Sequence, residues 1–144
     1  MELIVSGIAV VISFLSMVVS VLTYVFGLLR EKKLSTLQAF SLLQQEALDE
    51  LNSYTKKQIT EISENPRSQE YKHISALLAR CEHFAVGVQE YIYNIKTLHA
   101  LAGRYLIALY DKLEPLILKK RTINTQAKHY AAFETLAHRL KKMK

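Results

Sequence analysis

Residues 3–29 read LIVSGIAVVISFLSMVVSVLTYVFGLL, 27 positions without one Asp, Glu, Lys, Arg or His. As a helix rising about 1.5 Å per residue the stretch would reach roughly 40 Å, more than the roughly 30 Å hydrocarbon core of a bilayer. It is predicted to span a membrane with tilt to spare. A cleaved secretory signal would start basic, carry a shorter apolar centre and end in a small-x-small site, whereas this sequence opens Met1-Glu2 and its apolar run continues. A soluble core helix is disfavoured too, because such helices rarely run so far without a charge on any face. Arg30, Lys32 and Lys33 follow the run directly, while Glu2 and the terminal amine precede it. Positive-inside logic then puts the N-terminus outside and residues 30–144 in the cytoplasm.

Small residues within the span fall in register. Ser6, Ala9, Ser13, Ser16, Ser20, Thr23 and Gly27 recur at alternating steps of three and four, a seven-residue period on one face. Lipid provides no hydrophobic drive for helices to associate, so membrane interfaces use small side chains for close backbone approach and hydroxyls that bond across the contact. The stripe predicts self-association or a membrane protein partner, with left-handed packing. Hydroxyls that bond back to their own helix carbonyls would account for it without any partner.

The whole sequence has 144 residues, four Gly, two Pro and one Cys. Turn-rich sandwiches, barrels and dinucleotide-binding folds need more Gly and Pro, and a single cysteine supports no disulfide framework. The predicted fold class is all-α: a single N-terminal transmembrane helix over 3–29, then a cytosolic bundle of three or four helices over 34–144. From Leu34 to Ile62 no Gly or Pro intervenes, and Leu37, Phe40, Leu43, Ala47, Leu48, Leu51, Tyr54, Ile59 and Ile62 trace one face. The stretch from Ser63 to Ser68 reads as a connection, because Pro66 biases Asn65 away from helix and Ser68 can cap the next helix. A helix over about Gln69–Asn94 is expected to bury Tyr71, Ile74, Leu78, Cys81, Ala85, Val88, Ile92 and Ile95. The next, over about Thr97–Leu113, buries Leu98, Leu101, Ala102, Tyr105, Leu106, Leu109 and Leu113, and Gly103 permits a close crossing. Pro115 should kink or restart it. After a Thr/Asn-rich turn, Gln126–Lys142 forms the last helix, with Tyr130, Phe133, Ala137 and Leu140 inward.

Charge is shared unevenly. Residues 1–95 carry eight Lys and Arg against ten acids, while 96–144 carry eleven against three. The predicted basic surface comprises Lys119, Lys120, Arg121, Lys128, Arg139, Lys141, Lys142 and Lys144. Beside a bilayer it would face anionic headgroups, at about 1 kcal/mol per nearby Lys or Arg. Nucleic acid is the competing partner, but no phosphate loop or recognition motif accompanies the charge.

Chemistry is hard to find in the polar residues. Glu70-Tyr71-Lys72-His73 has the Glu-x-x-His spacing of di-metal bundles, without the second copy and further carboxylates that such sites need. Glu82 flanks the buried stripe of its helix and calls for a cation, Arg104 or Arg80 being available. Glu134 and His138 are spaced for an i,i+4 surface contact. No P-loop, nucleophile elbow or His-Glu-x-x-His is present, so no enzyme, cofactor, metal site or small-molecule substrate is expected. Cys81, on the buried stripe, reads as a small core residue.

Several stretches together resemble a family: residues 80–88 (RCEHFAVGV), Leu101-Ala102-Gly103-Arg104, Lys112-Leu113-Glu114-Pro115 with Arg121, and residues 130–137 (YAAFETLA). They are similar to an uncharacterised bacterial family of small proteins, known only as a domain of unknown function, with one N-terminal membrane helix and a helical C-terminal region. The likeness spans roughly residues 70–140 and implies an inner-membrane location without assigning any role. Glu82, Gly103, Arg104, Pro115 and Glu134 lie in or beside those stretches and are the candidates for structural or partner contact. The function expected is a membrane-tethered interaction or scaffold module. The alternatives are a membrane-acting effector, as in phage defence or exclusion, and nucleic-acid binding by the basic end.

Overall fold

The computed structural model describes residues 2–123 and 128–143, and all regular structure among them is helical. The order is α1 (Glu2–Leu43), a π-helical turn (Gln44–Leu48), α2 (Asp49–Ser53), α3 (Lys56–Ser63), α4 (Gln69–Gln89), α5 (Ile95–Ile123) and α6 (Ala131–Lys142). α1 has 42 residues, roughly 63 Å at 1.5 Å per residue. Neither Gly nor Pro occurs between Gly27 and Pro66, so nothing halts the helix as it leaves the apolar run and turns amphipathic. Side chains from Ser6 to Glu31 are exposed, and burial begins at Thr36 and continues at Phe40, Leu43, Ala47, Leu48 and Leu51. One rod thus serves as both a bare apolar helix and the first helix of the bundle.

Its end differs from the expected unbroken helix over 34–62. The π-turn adds a residue to the spiral, and both Ala47 and Leu48 become fully buried. Tyr54 then goes extended, and Thr55 starts α3 with a capping box: its hydroxyl accepts from the Gln58 N–H, and the Gln58 side chain accepts from the Thr55 N–H at 2.8 Å. Two helix-terminal donors satisfied this way outweigh continuation through Tyr54. Leu37, expected inward, is 41% exposed. The Ser63–Ser68 connection is as expected, with Ser68 accepting from Tyr71 N–H at the start of α4.

α4 stops at Gln89, five residues short of the expected end. Tyr91 adopts φ 60°, Ile92 N–H donates to Gly87 O at 2.9 Å, and Tyr91 N–H donates to Val88 O. These are the paired bonds of a Schellman stop, with tyrosine where glycine is usual. Ile92 is consequently 60% exposed rather than buried. Asn94 caps α5 by accepting from Thr97 N–H, and its own N–H donates to the buried Thr36 hydroxyl of α1 at 2.8 Å. That bond fixes the α4–α5 turn to the rod just beyond its exposed portion. A left-handed non-glycine residue costs about 1–2 kcal/mol, against which Tyr91 gains an exposed contact beneath Lys32 Nζ, 5.9 Å from its ring centroid. Tyr91→Gly is therefore expected to leave the thermal midpoint unchanged or raise it by a few degrees in detergent, as followed by circular dichroism. A clear fall would contradict this account of the turn.

α5 extends well beyond the expected Leu113, to Ile123. Its kink is not at Pro115 but at Ala102 (φ −148°, ψ 17°). Leu113, Leu116 and Ile117, all fully buried around Pro115, hold the helix through the proline, tertiary packing overriding local preference. Leu101, just before the kink, is turned outward. A Cβ at Gly103 would sit 2.8 Å from His99 Cδ2, so this glycine accommodates a side chain of its own helix at the kink rather than a crossing helix. α6 begins at Ala131, after Tyr130 at φ 60°; the expected turn at Asn124 and Thr125 and the expected start at Gln126 lie outside the described residues. Tyr130, Phe133, Ala137 and Leu140 are buried, with α6 seated against α4 and α5.

Candidate membrane anchor and contact surfaces

Among the described residues one helix is long and apolar enough to cross a membrane, and its apolar window has no burial inside the bundle. The large side chains between Ile8 and Leu29 are left uncovered by the bundle on every face of the helix. In water such a surface is unfavourable by about 25 cal/mol per Å² of apolar area. It needs a cover that the other described residues do not provide.

The small-residue stripe lies within this exposed segment. The Ser13 hydroxyl donates to Ala9 O, Ser20 to Ser16 O and Thr23 to Val19 O, each at 2.8 Å. These three hydroxyls are satisfied inside their own helix. Any contact along Ser6, Ala9, Ser13, Ser16, Ser20, Thr23 and Gly27 would therefore rest on close approach of backbones more than on bonds across it. A Cβ added to Gly27 would meet nothing within 4 Å, so no neighbour among the described residues requires glycine there.

The predicted basic surface divides. Lys128, Lys141 and Lys142 are exposed and Arg139 is half-buried, while Lys144 lies outside the described residues. Lys119 Nζ is 3.7 Å from Glu64, and Lys120 Nζ stands over the Tyr71 ring at 5.8 Å. Arg121 is taken into the structure: its Nη2 donates to Glu134 Oε2 at 2.7 Å, and its Nε donates to His129 O. Tyr110 OH donates to the other Glu134 oxygen at 3.1 Å. Glu134 thus bridges α5 and α6 rather than making only a surface contact with His138. The Arg121 hydrogen bond holds its carboxyl below the usual range, against the opposing effect of burial. A depressed carboxylate stabilises the fold above its ordinary value and ceases to do so as pH falls through the lowered one. Burial, with help from Glu134, pushes the Tyr110 phenol up to about 12.

Glu82 finds backbone instead of a cation. Its two oxygens accept from the N–H groups of Ala132 at 3.0 Å and Phe133 at 2.8 Å, across 50 residues of chain. The first turn of α6 has no side-chain cap from Tyr130, and a carboxylate at the positive end of a helix satisfies both its donors and its dipole. Arg80 pairs with Glu46 at 2.9 Å, and Arg104 is exposed. His73 is hydrogen-bonded to Glu50 of α2 rather than serving a site with Glu70. Among the described residues no three His, Cys, Asp or Glu side chains form a group that could hold a metal ion. Cys81 is buried and its thiol is pushed up to about 12 by burial.

The exposed Tyr91-Ile92 turn is a surface feature that side-chain periodicity alone does not reveal. Its sequence signal is Asn94 followed by Thr97, an N-cap spacing that starts a new helix at Ile95 and leaves Tyr91 to Tyr93 as a turn.

A family model described as "Domain of unknown function (DUF4760)" matches residues 10–140. No curated protein and no solved structure matches the chain.

Proposed function

The chain belongs to the DUF4760 family, and from that premise we propose that it is a single-pass membrane-anchored interaction module, self-associating through α1, with its N-terminus outside and its helical bundle in the cytoplasm. The observation that carries this reading is the continuity of α1. The same helix runs from exposed apolar residues into the bundle core at Thr36, Phe40 and Leu43, with Asn94 bonded to it at the junction. Rotation or pairing of the apolar half would pass to the bundle without a flexible joint. Support for pairing comes from the small-residue register, and support for orientation from Arg30, Lys32 and Lys33.

The test is energy transfer between donor- and acceptor-labelled full-length chains in bilayers at varied lipid-to-protein ratio. Changing Ser13, Ser16 and Ser20 together to Leu should weaken association by about 1–2 kcal/mol, roughly tenfold, because bulk replaces the contact face. Equal association of parent and variant would remove self-association through this stripe. The same face could line a narrow helix assembly in a bilayer-permeabilising effector. A membrane-potential dye separates the two, since a module that only pairs leaves the potential intact at every expression level.

A further inference from the structure

We infer that the α4–α5 end of the bundle docks on an anionic bilayer surface, with Tyr91 and Ile92 seated among the lipid headgroups beside α1. The inference rests on the membrane-anchored reading above and adds a second, peripheral contact to it. Its first support is position. The uncharged run ends at Leu29, and Lys32, three residues or about 4.5 Å further along the helix, has its Nζ 5.9 Å from the Tyr91 ring centroid. The headgroup layer is about 5–7 Å deep on each side of the hydrocarbon. Tyr91 is therefore held at headgroup depth by the rod itself, and the Asn94–Thr36 hydrogen bond fixes it there.

Composition and charge agree. Tyr91 is 72% exposed and Ile92 60%, an aromatic with a polar tip beside an aliphatic, as suits a membrane interface. Tyr91 occupies a left-handed position that glycine would fill with less strain, and its ring turns outward from the fold. Lys33 and Lys96 are exposed at the same end, outnumbering the acids Glu31 and Glu90 when Arg30 and Lys32 are included. α6 adds to this charge. It runs alongside α4 in the same direction, from Glu82 at its first turn to Arg139, which lines one gap with Val88 and Gln89. Lys141 and Lys142 are thereby carried toward the α4–α5 turn, where anionic phosphates would meet them.

The chain has no tryptophan, so single Trp substitutions report position without background. Full-length Val18→Trp, Ile92→Trp and Gln69→Trp would be reconstituted in phosphatidylcholine vesicles with and without phosphatidylglycerol, using lipids brominated near the chain ends or near the headgroups. Val18→Trp, in mid-span, should lose most emission to the deep bromines. Ile92→Trp should be blue-shifted and quenched mainly by the shallow bromines, more strongly with phosphatidylglycerol present. Gln69→Trp, at the far end of α4, should keep its emission. Adding Tyr91→Gly to the Ile92→Trp chain should reduce the shallow quenching while the thermal midpoint holds. Quenched Val18→Trp with unquenched Ile92→Trp overturns the docking and leaves the anchor standing. Unquenched Val18→Trp overturns the anchor and the docking with it. A blue shift at Ile92→Trp without bromine quenching assigns the turn to a protein contact and also overturns the inference.

Discussion

A chain beginning at Arg30 is expected to leave the membrane pellet in high salt or alkaline carbonate and appear in the soluble fraction, while the full chain stays in the pellet through both and needs detergent for release. The size of the effect comes from the exposed surface of α1. Every side chain from Ser6 to Leu29 is exposed, and the bundle's core begins only at Thr36, so removing the apolar segment deletes the anchor without emptying the core and leaves at most a peripheral, salt-sensitive contact. A milder version keeps the length. Val18→Arg places a charge at mid-span, at a cost of about 2.5–3.5 kcal/mol on insertion scales, and should divert a fraction of the chain from the pellet. Recovery of the intact full chain in the soluble fraction without detergent would end the anchored reading. A reporter fused after Lys144 checks orientation, activity on the cytoplasmic side being the expected result.

Glu82→Ala is expected to be the most damaging single substitution of a polar side chain in the bundle, lowering stability by about 2–4 kcal/mol. Two N–H groups at the first turn of α6 lose their acceptor, and hydrogen bonds to a charged group contribute about 1.5–3 kcal/mol, with a further helix-dipole contribution of about 0.3–1 kcal/mol. Small domains have about 5–15 kcal/mol in all. Glu82→Gln keeps one acceptor and no charge, so its loss should be roughly half. Hydrogen exchange gives the diagnostic pattern: protection should fall first at residues 131–142, because the lost bonds are those that tie the first turn of α6 to α4. Urea unfolding that finds Glu82→Ala as stable as the parent would show that the α6 terminus is satisfied in another way.

Much of the architecture was legible because it depends on local or periodic properties. An uncharged run of 27 residues can be measured against a bilayer, and the stripe of Ile74, Leu78, Cys81, Ala85 and Val88 marks a buried helix face on spacing alone. The Ser68 cap sat beside a proline. The break at Tyr54 was also written locally, in Thr55 and Gln58, but a strong apolar period masked it. Pro115 misled in the opposite sense, since a local helix breaker was kept within α5 where Leu113, Leu116 and Ile117 are buried in a core that α3 and α6 share.

The amino-acid sequence by itself determined an all-helical fold class, an uncharged run long enough for a bilayer, and most of the faces that turn inward. Those come from side-chain period and charge, which each segment carries without reference to the others. Only the tertiary structure decided where the polar groups go: Glu82 to the α6 backbone, Arg121 to Glu134 and Asn94 to Thr36. It alone decided that the Tyr91 turn lies level with the end of the apolar run. A buried or half-buried polar group takes whichever partner the fold brings within about 3 Å. That choice depends on how helices cross, which no single helix encodes.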